Sequence, residues 1–208
     1  MYVICEGAAV RRTQVDRTAE TRRALLGAAR ELFAAHGYAA TATDDVVQRA
    51  GVTRGALYHH FANKRDLFRA VAEQIEEEID RQMRDAAYSG DGIWESIARG
   101  IDAFFDACAT ADVRRILLVD GPSVLGWETW HAIDARYALA QIEDSLVGLV
   151  EAGYQLPASP QSLALLVYGA TLEAALYLAH AEDAPTARTE FRRGIQHLFM
   201  CLVQPEGP

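Results

Sequence analysis

Cysteine is scarce: Cys5, Cys108 and Cys201 are the only three in 208 residues, odd in number and without a CxxC pair. That usage gives no disulfide framework and fits reduced thiols in a cytoplasmic protein. The six histidines, His36, His59, His60, His131, His180 and His197, form no HExxH and no paired Cys/His spacing. No metal site and no cofactor are therefore expected. Proline is rare, with six residues, and glycine is unremarkable at fifteen, which argues against long disordered segments. No uninterrupted apolar run approaches the roughly 18 residues of a membrane helix, so no membrane partner is expected. The opening "MYVICEGAAV" carries Glu6 and lacks a basic start; it makes a poor signal peptide and reads as a loose tail over residues 1–15, or as an artefact of start-codon choice.

What is present is an ordinary globular composition, 50% hydrophobic and 24% charged, with net charge −9. The charge is unevenly spread. Residues 11–70 hold eleven Lys/Arg against six Asp/Glu, a net +5, whereas residues 71–208 hold nine against twenty-two, a net −13. A basic N-terminal third on an acidic body suggests a local footprint for an anionic partner, although a chance gradient would look the same.

Helical periodicity runs through the whole chain, and no strand alternation or hairpin turn interrupts it. A first helix is expected over about 17–36, stopped by Gly37. A second spans 44–50, capped by Thr43 with Asp44 and Asp45 at its positive end. Gly51 makes a turn, and Thr53 caps a third helix over 54–61, with Val52 and Leu57 spaced as a hydrophobic staple. Asn63 caps a long helix carrying Leu67, Val71, Ile75, Ile79 and Met83 at four-residue steps, with Asp66 as a capping-box analogue. Beyond the break "AAYSGDG" at 86–92, helices are expected at about 93–109, 112–120, 127–151, 160–181 and 186–203. The fold class is all-α, about nine helices: a three-helix helix-turn-helix unit over 16–66, then a helical regulatory and dimerisation domain over 67–208.

The stretch "TATDDVVQRAGVTRGALYHHF", residues 41–61, carries the chemistry. Two short helices joined by a glycine turn describe a helix-turn-helix, whose second helix enters the major groove. Leu57 and Phe61 share the inward stripe. Gly55 lets the backbone approach DNA, Arg54 suits guanine edges and Ala56 a thymine methyl. Tyr58 and His59 offer donors to phosphates, Thr43 and Thr53 bring hydroxyls at helix N-termini, and Lys64 can neutralise a further phosphate. A compact helical corner with no partner is the bland alternative. For His60, packing and DNA contact both stay open.

The segment "ARELFAAHGYAATATDDVVQRAGVTRGALYHHFANKRDLFRAV" resembles the N-terminal domain of TetR-type, tetracycline-repressor-like, bacterial transcription regulators. Leu32-Phe33, Gly37-Tyr38, Thr43, Val47, Ala50-Gly51-Val52, Gly55, Leu57-Tyr58, Phe61, Lys64 and Leu67-Phe68 sit where that family's pattern wants them. The resemblance implies DNA contacts from Thr43, Arg54, Gly55, Ala56, Tyr58, His59 and Lys64, with Tyr58 and Lys64 mainly on phosphates. The Asp44-Asp45 start of the second helix departs from it and disfavours base contact there. Arg11, Arg12 and Arg17 suit either a minor-groove arm or a solvated tail.

In the acidic body, Trp127, Trp130, Asp134 and Tyr137 share one side of a helix. Core packing explains most such aromatics. The resemblance implies a ligand cavity, for which Trp130, His131, Asp134 and Tyr137 are the candidate lining residues; acidic anchors would suit a cationic or hydroxylated effector. The last two helices are very apolar, and the resemblance implies a homodimer through them, placing two reading helices one DNA turn apart on a palindromic operator. The expected function is a ligand-responsive transcriptional regulator, most simply a repressor released from double-stranded operator DNA by a small-molecule effector. A small helical enzyme is the competing class. Glu73, Glu76, Glu77, Glu78 and Asp80 cluster, but at helical spacing they read as a solvated face, and no nucleophile, metal or phosphate-loop motif occurs. A helical adaptor that binds a protein segment is the third class.

Overall fold

A computed structural model describes residues 14–205; the proposed tail, with Arg11 and Arg12, lies outside the described residues except for its last two positions. Nine α-helices follow one another among the described residues: α1 (Gln14–Ala40), α2 (Thr43–Ala50), α3 (Arg54–His60), α4 (Lys64–Tyr88), α5 (Ile93–Cys108), α6 (Gly121–Leu125), α7 (Trp127–Glu151), α8 (Pro160–His180) and α9 (Ala184–Leu202). Between α5 and α6 the chain winds as a π-helix, Val113–Asp120. Two-residue strands β1 (Tyr154–Gln155) and β2 (Gln204–Pro205) pair antiparallel, tying the end of α9 beneath α7. The all-α expectation stands, with this small bridge, the short α6 and the π winding as additions.

Local chemistry sets the element ends. Gly37, at φ +78°, breaks the regular winding of α1 where a stop was expected, a backbone region that costs glycine nothing. Thr53 caps α3, its Oγ1 accepting from Ala56 N at 3.2 Å. Asn63 caps α4, its Oδ1 accepting from Asp66 N at 2.9 Å. Asp66 accepts in return from Ala62 N at 3.1 Å, one residue before the position a strict capping box would use. Thr43 is not a cap. Ala42 holds that position and Thr43 is the first helical residue; Asp45 Oδ2 accepts weakly from Ala42 N at 3.4 Å.

The core of the first three helices is Leu25, Ala29, Phe33, Val46 and Leu57, closed by Leu67 and Phe68 from α4, all fully buried. Phe68 meets Phe33 and Tyr38 edge-on, with ring centroids 5.2 Å apart in both pairs. This core continues without a gap along α4 into Ile116, Leu117, Trp130 and Tyr168 of the body. A second cluster, including Phe105, Leu146, Leu149, Val167 and Phe199, joins α5, α7, α8 and α9.

Helix α8 corrects one expectation. With mean hydropathy 1.6 over its most apolar window, it is long and apolar enough to cross a membrane by length and composition. Counting uninterrupted apolar residues missed it because Glu173 and several small residues break the run. Its Leu163, Val167, Tyr168, Leu172, Ala175 and Leu178 are buried against neighbouring helices, as in a core helix. Leu165, Leu166 and Tyr177 on its other side are exposed.

Candidate functional site

Two sites stand at opposite ends of α4. The first is the outward side of α3. Leu57 is fully buried and Phe61 nearly so, which fixes the helix against α1 and turns Arg54, Gly55, Tyr58 and His59 outward, all exposed. Ala56 is half-buried beside them. Arg54 lies over the Tyr58 ring, 5.7 Å from its centroid, and pairs with Asp44 of α2 at 3.2 Å. Asp44 thus steers Arg54 rather than simply complementing the helix dipole. His60 is half-buried next to Phe61, and burial, helped by His59 and Arg22, lowers its pKa.

Lys64 has a task the sequence did not show. Its ammonium donates to the carbonyls of Tyr38 at 2.8 Å and Thr41 at 2.9 Å and stands 4.2 Å from the Tyr38 ring centroid. It ties the end of α1, beyond the kink at Gly37, to the start of α4. Thr41, buried, completes the join by donating to Gly37 O at 2.8 Å. The α1–α2 corner is thereby clamped, and Thr43 sits half-buried at its edge.

The second site is an apolar cavity of about 290 Å³ enclosed by α4, α5, the π-helix, α7, α8 and α9. Asp134 and Tyr137 reach its lining, as expected, but Trp130 and His131 do not. Trp130 is almost completely buried against Gly121, its indole N–H without a hydrogen-bond partner. His131 stacks between Trp127 and Tyr168, at 5.5 and 5.4 Å. At 100° per residue Trp130 and His131 are offset from Asp134 by about 40° and 60° around α7, enough to carry them from cavity to core and flank.

The polar lining comes mainly from residues that the sequence reading left aside. Glu76 of α4 is buried. Its place four residues after Ala72 and three before Ile79 puts it on the apolar side of the helix; Asp80, one turn on, also reaches the lining, so acids such as Glu77 are left to form the solvated face. Burial, reinforced by the Asp134 charge, holds its carboxyl well above the usual range. Asp134 is likewise raised by burial, although Tyr168 donates a short hydrogen bond to its Oδ2. Burial also pushes the Tyr168 hydroxyl and the Cys108 thiol up. Gln141 Nε2 donates to Asp80 O at 2.9 Å, and Tyr137 donates to Glu77 Oε1 at 3.2 Å. Among the described residues no group of His, Cys, Asp and Glu is arranged to hold a metal ion.

The π-helix connects the sites. Val113, Leu117 and Leu118 line the cavity, while its ends and the residue before it hold α1. Asp112 accepts from Arg30 Nε at 2.8 Å, and Asp120 accepts from Tyr38 N at 2.7 Å. Arg115 lies directly against Gly37, where any side chain would collide with it. From α4, Arg65 donates to the carbonyls of Val124 at 2.9 Å and Leu125 at 2.5 Å.

Residues 25–71 match the family model of bacterial regulatory proteins of the tetR family, and residues 94–202 match that of the tetracyclin repressor-like C-terminal domain. A solved TetR-family transcriptional regulator from Pectobacterium atrosepticum is 33% identical, covers 94% of this chain and all of its own, and superposes with a TM-score of 0.80. The TetC protein of transposon Tn10 from Escherichia coli is 23% identical over 178 residues, 86% of this chain and 90% of that protein. The transcriptional regulator TtgR of Pseudomonas putida is 41% identical over 75 residues, 36% of this chain and 35% of its own. With a C-terminal model spanning half the sequence and a solved relative matching nearly all of it, the chain belongs to the TetR family of DNA-binding transcription regulators, which are not enzymes.

Proposed function

We propose that the protein is a cytoplasmic, ligand-responsive repressor that binds a palindromic operator as a homodimer and leaves it when a small molecule fills the cavity. Residues 16–66 act as the reading unit and 67–208 as the regulatory and dimerisation domain. Arg54 and Ala56 read bases where Gly55 allows close approach. Thr43, Thr53, Tyr58 and His59 position the backbone phosphates, and Lys64 acts on them from the α4 N-terminus while holding the α1–α2 corner. The observation that carries this reading is the shared π-helix: one side lines the cavity and the other carries Asp112 and Asp120, bonded to α1. A ligand that favours a different position of this segment shifts α1 and the reading helix with it, provided it binds the two states unequally.

The exposed Leu165, Leu166 and Tyr177 of α8 and Met200 of α9 supply an apolar surface suited to a second copy. Duplexes selected from a random pool test the proposal. Gel shifts should separate selected from random DNA at moderate salt, and Arg54→Ala should relax the preference at its base position by about 1–3 kcal/mol. Equal retention of selected and random duplexes refutes it.

A further inference from the structure

The cavity lining is electrically one-sided. It contains Glu76, Asp80, Asp134 and Asp144 and no Lys, Arg or His. Two of these acids are already engaged: Asp80 is bonded by Arg84 at 3.0 Å and by Gln141, and Asp134 Oδ2 by Tyr168. Glu76 differs. It is only 7% exposed, lines the cavity, and faces the like charge of Asp134 with no cation paired to it among the described residues. A buried carboxyl without a partner is costly to maintain unless something answers it. The lining also includes the aromatic residues Phe104, Tyr137 and Tyr168, whose ring faces attract a positive charge.

We infer that the cavity selects an organic monocation, an ammonium-type charge on an apolar or aromatic body, held between Glu76 and Asp134. The inference rests on reading the cavity as the effector site. An anion meets four acidic side chains, with Arg84, paired to Asp80, the counter-charge at their edge. A neutral apolar ligand fills the space but leaves the Glu76 carboxyl unanswered. A cation satisfies Glu76, relieves its repulsion with Asp134, and draws off the proton that burial holds there when the cavity is empty. The other titratable groups on the lining are Asp80, Cys108, Tyr137, Asp144 and Tyr168, none of them basic, and His131 faces Asp134 from just outside the lining; proton release that is lost in Glu76→Gln therefore reports the Glu76–Asp134 pair.

Calorimetric titration of the full chain with benzyltrimethylammonium and with its neutral carbon isostere, neopentylbenzene, tests this. The cation should bind on the order of thirtyfold tighter, as expected for a desolvated charge pair. Repetition in two buffers of different ionisation heat should show a proton released with the cation and none with neopentylbenzene. Glu76→Gln should abolish the preference. Asp134→Asn, which keeps an acceptor for Tyr168, should reduce it and serves alone if the first variant fails to fold. Equal or tighter binding of neopentylbenzene overturns the inference and leaves the effector cavity standing. Binding of neither overturns both.

Discussion

Replacing Arg30 by Met tests how the reading unit is fastened to the body. The guanidinium reaches Glu78 of α4 at 2.5 Å and Asp112, just before the π-helix, at 2.6 Å, and all three side chains are about a quarter exposed. Burial alone would lower the Arg30 pKa, but its hydrogen bonds to the two carboxylates raise it overall. Burial also pushes Asp112 up, but hydrogen bonds from Thr110 and Arg30 leave it below its usual value. Hydrogen bonds to charged groups contribute about 1.5–3 kcal/mol each. Met keeps much of the stem's packing, Gln74 still holds Glu78 at 3.1 Å, and water reaches the carboxylates, so the net loss is about 2 kcal/mol rather than the sum. Urea unfolding should show a midpoint lower by about 1 M, given a slope near 2 kcal/mol/M. The Asp112 contribution is present above its unfolded pKa of about 3.9 and lost as pH falls through its lower folded value. The gap between the two proteins should therefore hold at pH 7 and narrow below about pH 4. A gap under about 0.5 kcal/mol at pH 7, the scale of an ordinary surface substitution, refutes the reasoning.

Thr53→Ala removes the cap of α3 and should cost about 1 kcal/mol in thermal unfolding, with DNA binding weakened further because the reading helix frays. Glu76→Gln should flatten the pH dependence of stability. The folded carboxyl is raised, so its contribution is complete below the unfolded pKa of about 4.3 and is lost as pH rises through the folded value, at up to about 1.4 kcal/mol per pH unit; unchanged slopes in urea melts from pH 4 to 8 would sink the argument. Leu166→Glu, at the most exposed of the large aliphatic side chains on α8, should shift sedimentation toward monomer while leaving the circular dichroism intact.

Much of the fold is legible in sequence because local rules and tertiary packing agree. Thr53 and Asn63 cap where their side-chain chemistry requires, Gly37 and Gly51 mark the turns, and the four-residue ladder from Leu67 to Ile79 lies on the buried side of α4. The π winding of 113–120 was not legible. Its composition is that of a common amphipathic helix, and the register is set by neighbours on both sides. The outward placement of Arg54, Gly55, Tyr58 and His59 was legible from the inward stripe of Leu57 and Phe61, whereas the cap of α2 at Ala42 and the internal partners of Lys64, distant in sequence, were not. The cavity was the least legible. Trp130 and His131 lie on nearly the same side of α7 as Asp134, and only the packing of several helices decides which of them meets the empty space. Glu76 was hidden by its surroundings, an inward acid, with Asp80 one turn on, among outward ones such as Glu77.

The salt network around α2 and α3 bears on how the protein searches DNA. Several of the eleven cations in residues 11–70 are engaged internally: Arg54 by Asp44, Arg49 by Glu31, Arg69 by Asp66, Arg30 by Glu78 and Asp112, and Lys64 by carbonyls. A phosphate must exchange places with an internal acceptor before it is held. Random duplex offers little return for that exchange, whereas a site that also engages Arg54 at a base edge rewards it. On the proposed function, low non-specific retention is the expected outcome, with residence concentrated where the sequence fits: a protein that slides lightly and stops rarely.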